Sequence, residues 1–373
     1  MVSGKEIGSM INGNTIRIMI GTNSIGKRIM EASSINKERD SNMELLRCMA
    51  MILVLLVHTG FLSLGLPTQA ESLQTPFSIF MRLLTQSVSV VCVNVFVLLS
   101  GWYGIRFSIK RLGGFLFQVF FFSFLIYACL AIIYPTDHLN ILSLSRFFIL
   151  NGEDYWFVKS YLLLFLFAPF LNRLVECQEG KETIKYVLIV FFVFQTIYGW
   201  LSIKGATELE GGYSALSFMG LYLLIRYLRS YGYDTSKYSG QIYITLFFGI
   251  ALFNALLAFF LARINFMVFG RIFTYTNPLV ICQSILLVLA FSQFKVKSKF
   301  INWLARSCFA VYLTHANGFI LRPYYGRWIK FLFDEESTIM FIFAVVSTIL
   351  VIFFLSILLD KIRIYTWSKI VGK

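Results

Sequence analysis

Apolar runs of about 20 residues recur along nearly the whole chain, and nothing else constrains its fold as strongly. A helix needs about that length to cross a bilayer, whereas barrel strands are about half as long and alternate in polarity. The runs predict about ten spans: Met43–Leu64, Leu83–Tyr103, Leu112–Tyr134, Tyr155–Leu174, Tyr186–Ile203, Tyr213–Leu228, Gln241–Leu261, Ile272–Phe291, Ile301–Ile320 and Thr338–Leu359. Of the 373 residues, 58% are hydrophobic and 14% charged, too little polar surface to cover a soluble core. The expected fold is all-α: a polytopic transmembrane helix bundle of about ten helices occupying residues 39–373. Residues 1–38 are polar and rich in Ser, Asn and Gly; they read as a disordered cytoplasmic tail, or as an upstream start codon chosen in error. Ile141–Asn151 is apolar but too short to span, and is expected to lie at the outer interface or dip in as a re-entrant segment.

The formal net charge of +14 does not call for nucleic acid, because the basic residues sit between apolar runs. There they set orientation, cytoplasmic loops carrying the excess of Lys and Arg. With the N-terminus inside, the outer face keeps only Arg82, Arg146, Lys159, Lys204, Arg263, Arg271, Arg322, Arg327 and Lys330. All other Lys and Arg fall on the inner side, so both termini are expected in the cytoplasm. Six cysteines, Cys48, Cys92, Cys129, Cys177, Cys282 and Cys308, are scattered without metal-ligand spacing and read as small apolar fillers.

Ionisable groups inside a span are expensive and mark function by default. The first segment carries three: Glu44, Arg47 and His58. Eleven residues at about 100° each bring His58 back to within roughly 20° of Arg47, about 16 Å further along the helix. Glu44 lies one turn below Arg47 on nearly the same stripe. The pair Glu44–Arg47 also fits an ordinary i,i+3 interfacial ion pair, and His58 a structural hydrogen-bonded histidine. Function is the preferred reading for His58, because a buried imidazole needs a reason.

Glu44-x-x-Arg47, ten residues and then His58 resembles the opening of the acyltransferase family 3 membrane proteins. Val93–Gly104 resembles the family's Phe-rich helix ending in Leu-Ser-Gly, here Leu99, Ser100 and Gly101. Tyr155–Asn172 is similar to its Trp-Phe-Leu helix, and Ser307–His315 to its late Tyr-Leu-x-His helix. Many members carry Arg-x-x-Arg before the third helix; this chain has Lys110-Arg111-Leu112-Gly113-Gly114 instead.

The resemblance implies an O-acyltransferase of the inner membrane that moves an acyl group, most often acetyl from acetyl-CoA, to a hydroxyl of a cell-envelope glycan or lipid-linked sugar. It implies no resident cofactor; acetyl-CoA or another acyl-CoA is the donor substrate. Arg47, Arg106, Lys110 and Arg111 would form a basic inner mouth for the donor phosphates, although the loop residues serve equally well as a topology signal. His58 would be the general base, with Arg47 and Glu44 beside it, and an acyl-histidine route stays open. Trp156, Lys159, Tyr161, Tyr312 and His315 are the acceptor-side candidates. Trp156 and Tyr161 also suit interface anchors, and Lys159 can snorkel outward. Some members append a hydrolase-like domain; here little follows Leu359, so acceptor chemistry is expected inside the membrane domain. The rival reading is an exporter of polysaccharide or lipid-linked sugar without chemistry, for which Arg-x10-His has no use.

Overall fold

A computed structural model describes residues 40–138, 140–148, 155–177, 181–202, 209–266 and 269–371. The expectation for residues 1–38 falls outside them. Among the described residues the chain is helical, and eight helical stretches are long and apolar enough to cross a membrane. The protein is a multi-pass membrane protein.

In chain order the main helices are α1 (Ser41–Val57), α2 (Pro76–Ser89), α3 (Cys92–Tyr103), α4 (Ile109–Ile133), α5 (Trp156–Glu176), α6 (Lys181–Phe194) and α7 (Ala215–Ser230). They continue with α8 (Gly240–Arg263), α9 (Pro278–Gln293), α10 (Lys299–Ala305), α11 (Cys308–His315), α12 (Arg327–Glu335) and α13 (Thr338–Ile370). Their starts are written in the sequence. Ser108, Ser214, Ser239, Ser298 and Ser337 each cap the amide three residues on, and Asn277 caps Leu279 with Pro278 at the first helical position. Gly104, at φ +74°, ends α3 in a backbone region that favours glycine.

Burial sorts the spans into centre and rim. Pro76–Tyr103 is 72% buried in its apolar window and Phe269–Gln293 67%, whereas Ile109–Ile133 and Lys181–Leu201 are each only 22% buried and turn Phe, Ile and Val side chains outward. Inner helices meet through small residues. A Cβ at Gly101 would stand 2.3 Å from Ile225 and 2.9 Å from the Tyr222 carbonyl, so α3 and α7 touch backbone to backbone there.

Two of the ten expected segments are not long helices. Tyr213–Leu228 corresponds to the 16-residue α7. Ile301–Ile320 is broken into α10 and α11 around Arg306 and Ser307, where Lys361 Nζ donates to Trp303 O (2.9 Å) and Ser307 Oγ (2.8 Å). The Trp303 carbonyl freed by the break is thus met by a side chain from α13. The short apolar stretch after His138 contains a helix at Ile141–Phe147, seven residues long and too short to cross.

Candidate active site

α1 does not end at Val57 but continues as a π-helical turn, His58–Leu62, with Gly60 out of helical geometry at ψ −115°. Such turns widen a helix and redirect the side chain at their start. This one is held from several sides. Ser63 Oγ donates to His58 O (2.6 Å), Thr59 Oγ1 donates to Leu55 O (3.0 Å), and Tyr325 Oη lies 2.9 Å from Leu55 O and 2.7 Å from Thr59 Oγ1. A Cβ on Gly60 would strike Gln86 Oε1 at 2.3 Å, so glycine here lets α2 approach the turn.

The turn aims His58 at His315, the last residue of α11. His58 Nδ1 and His315 Nε2 are 3.0 Å apart, with ring centroids at 5.1 Å. His315 is fully buried and its Nδ1 lies 2.5 Å from Val311 O. A carbonyl only accepts, so His315 Nδ1 carries the hydrogen. In the neutral ring Nε2 is then an acceptor, filled by His58 Nδ1–H. The network therefore assigns neutral His58 a bare lone pair on Nε2. The end of α11 is itself pinned: Tyr155 Oη donates to Leu313 O (2.5 Å) and accepts from Asn317 Nδ2 (2.8 Å). Tyr155 reaches it from a left-handed backbone at φ +51°, one residue before α5 begins.

His58 stands between two cavities. On one side is an apolar cleft of about 30 Å³, lined by Met51, Val54, Val93, Phe96, Phe157 and Tyr312 among others. On the other is a vestibule of about 770 Å³, reaching past Phe61, Leu62 and Leu66 to Arg322. Val57, Trp156 and Tyr275 line both with His58. Trp156 stacks on Tyr275 (centroids 6.0 Å, 27°) and stands edge-on to Tyr213 at 4.5 Å. An aromatic wall of this kind suits the apolar face of a sugar while its polar edges remain available.

The remaining sequence-predicted residues lie elsewhere. Arg47 pairs with buried Glu44 toward the other end of α1. Arg106, Lys110 and Arg111 are exposed on the loop and first turn of α4, and Arg111 Nη1 donates to Arg106 O (2.8 Å). Tyr161 stacks on Phe157 (5.6 Å, 15°) with Oη 3.1 Å from Ser100 Oγ, and Lys159 is half-buried on α5. Tyr161 and Lys159 line neither cavity at His58; Trp156 lines both, Tyr312 the cleft, and His315 touches His58 itself. Sequence reasoning passed over Gln86, Tyr213, Tyr275 and Tyr325, which stand in no motif. It also passed over Arg226, whose guanidinium sits against Gly104 and 3.6 Å from Glu176.

The family model for the acyltransferase domain of acyltransferase 3 matches residues 40–359, which include every residue of this site. The chain belongs to the acyltransferase 3 family. This is an O-acyltransferase family, so the protein is a membrane-bound enzyme that transfers an acyl group. No curated protein and no solved structure matches the chain at the same stringency. In this acyltransferase 3 protein His58 lies where a small apolar cleft and a roomy aromatic vestibule adjoin.

Proposed function

We propose that this acyltransferase moves a short acyl group, acetyl from acetyl-CoA in the first instance, to a hydroxyl of a cell-envelope glycan or lipid-linked sugar, with His58 as general base. The observation that carries the reading is the tautomer: His315 fixes His58 with its Nε2 lone pair unspent, where cleft and vestibule meet. A cleft of about 30 Å³ has room for roughly two water-sized groups, the size of an acetyl and not of a long chain.

In the reaction the acceptor hydroxyl gives its proton to His58 Nε2 as its oxygen attacks the thioester carbonyl. The C–S bond breaks, and the departing CoA thiolate takes the proton back from the imidazolium. While His58 is cationic, its Nδ1–H bond to His315 becomes charge-assisted and shorter. Positioned proton transfer of this kind contributes about 10²–10⁴-fold. Arg47 and the Arg106, Lys110 and Arg111 loop bind the CoA phosphates at the cytoplasmic end, with Glu44 holding the Arg47 side chain in place. The acceptor enters from the Arg322 end. His315 acts on the imidazole and not on the acceptor.

Acetyl-CoA carrying labelled acetyl, supplied to inside-out vesicles, tests the reading. Label is expected in a glycan or glycolipid fraction, and sealed right-side-out vesicles should give none from the same external donor. Equal labelling from both faces would refute cytoplasmic donor entry, and label confined to protein or free acetate would refute the glycan acceptor.

A further inference from the structure

Lys361, near the end of the long α13, makes no ion pair among the described residues. The carboxylate next to it in sequence, Asp360, is fully buried and already spent. Arg363 grips it with two hydrogen bonds (2.8 and 2.9 Å), and Gln118 of α4 adds a third (3.0 Å). Lys361 turns instead to the break between α10 and α11. Its Nζ donates to Trp303 O (2.9 Å) and to Ser307 Oγ (2.8 Å), and stands 4.0 Å from the centre of the Trp303 ring. In a continuous α-helix the Ser307 amide would bond to Trp303 O. Here it bonds to Leu304 O (3.0 Å), so the Lys361 ammonium takes the place of a backbone donor.

The far end of α11 is held by the same helix. Buried Ser356 of α13 has its Oγ 2.6 Å from Thr314 Oγ1, and Thr314 Oγ1 donates to Ala310 O (3.1 Å) and Val311 O (3.0 Å). Val311 O is also the carbonyl that takes the His315 Nδ1 hydrogen. The helix that ends in His315 is therefore gripped by Lys361 where it begins and by Ser356 where it finishes. From Ser307 to His315 the helix rises about 12 Å, so a swing of about 10° at the break moves the His315 ring by roughly 2 Å. A shift of that size breaks the 3.0 Å contact with His58. Apolar burial is non-directional and does not fix such an angle, whereas hydrogen bonds from one ammonium to both sides of the break do.

We propose that Lys361 is a positioning residue for acyl transfer: by fixing the α10–α11 break it keeps His315 Nε2 on His58 Nδ1, and so keeps the proton off His58 Nε2. Ser356 shares the task from the other end. The inference deepens the reading of His58 as base and rests on it for the effect on rate, while the effect on the tautomer rests on the histidine geometry alone.

The chain has three histidines, so isotope-labelled histidine gives few enough nitrogen NMR resonances to read the tautomer of each. Full-length labelled protein in nanodiscs is compared with its variants at a pH where free imidazole is neutral, and His58→Ala and His315→Leu assign the signals. Wild type is expected to show His58 with its hydrogen on Nδ1. Lys361→Met, which retains the apolar stem, should move that hydrogen to Nε2 in a measurable share of molecules. It should also lower kcat about tenfold with the KM for acyl-CoA unmoved. Lys361→Arg keeps the donors and should recover both the tautomer and much of the rate. Should Lys361→Met not fold, Ser356→Ala is expected to shift the tautomer in the same direction. A folded Lys361→Met, or in its place Ser356→Ala, with the wild-type tautomer overturns the positioning whatever its rate. A wild type whose His58 carries the hydrogen on Nε2 overturns it as well. A shifted tautomer with transfer unchanged would strike His58 as the base and leave the positioning standing.

Discussion

His315 matters to His58 through one hydrogen bond and the tautomer that bond selects. A leucine there keeps volume but frees His58 to place its proton on Nε2, the atom that must receive one. The expected outcome for His315→Leu is a fall in kcat on the order of 10–100-fold, as for other partners that orient an imidazole, with the KM for acyl-CoA unmoved. His315→Gln, whose amide oxygen can take the Nδ1–H, should recover much of the loss. Steady-state kinetics on both variants check this, and equal damage would point to packing instead. Arg47→Ala should act differently, raising the KM for acyl-CoA with little change in kcat at saturation. An unchanged KM would remove Arg47 from donor binding. The Arg47–His58 spacing and the Tyr-Leu-x-His segment were legible in the sequence. The contact between the two histidines was not, since it spans 257 positions and depends on a π-helical turn that no local pattern announces. Gln86, between Thr85 and Ser87, gave no signal in the sequence; its burial and missing partner emerge from the packing of α2 on Gly60.

Helices α3 and α7 owe their close approach to Gly101, and that contact carries α3 toward Tyr161 and the walls of the cleft. Gly101→Leu has no space to fill, because Ile225 and the Tyr222 backbone stand where its side chain would begin. Overpacking of this degree costs about 1–3 kcal/mol. A lowered thermal midpoint of the detergent-solubilised protein is expected, and a midpoint equal to wild type would show that α3 and α7 can separate freely. Long apolar runs bounded by Ser caps made most spans readable, α4, α8 and α13 above all. The α10–α11 break was hidden, because its freed carbonyl at Trp303 is satisfied by Lys361, 58 residues away. Hydropathy averaged over a span does not resolve a break at two residues, here Arg306 and Ser307, inside an otherwise largely apolar run.

The Glu44–Arg47 pair stands near one end of α1, and His58 opens the π-helical turn that follows the other. On the reading proposed above, the donor's route runs from that pair to His58. Every residue of this route lies within residues 40–359, so deleting residues 1–37 is expected to leave transfer intact. A truncated protein that inserts and binds acyl-CoA but transfers nothing would show that the polar N-terminal region takes part. Single-turnover transfer of labelled acetyl should be compared between wild type and His58→Ala, with acyl-CoA binding measured on the same preparations. Loss of roughly 10²-fold or more in the transfer rate, with donor binding retained, is the predicted result. Transfer within a few-fold of wild type would contradict His58 as the base.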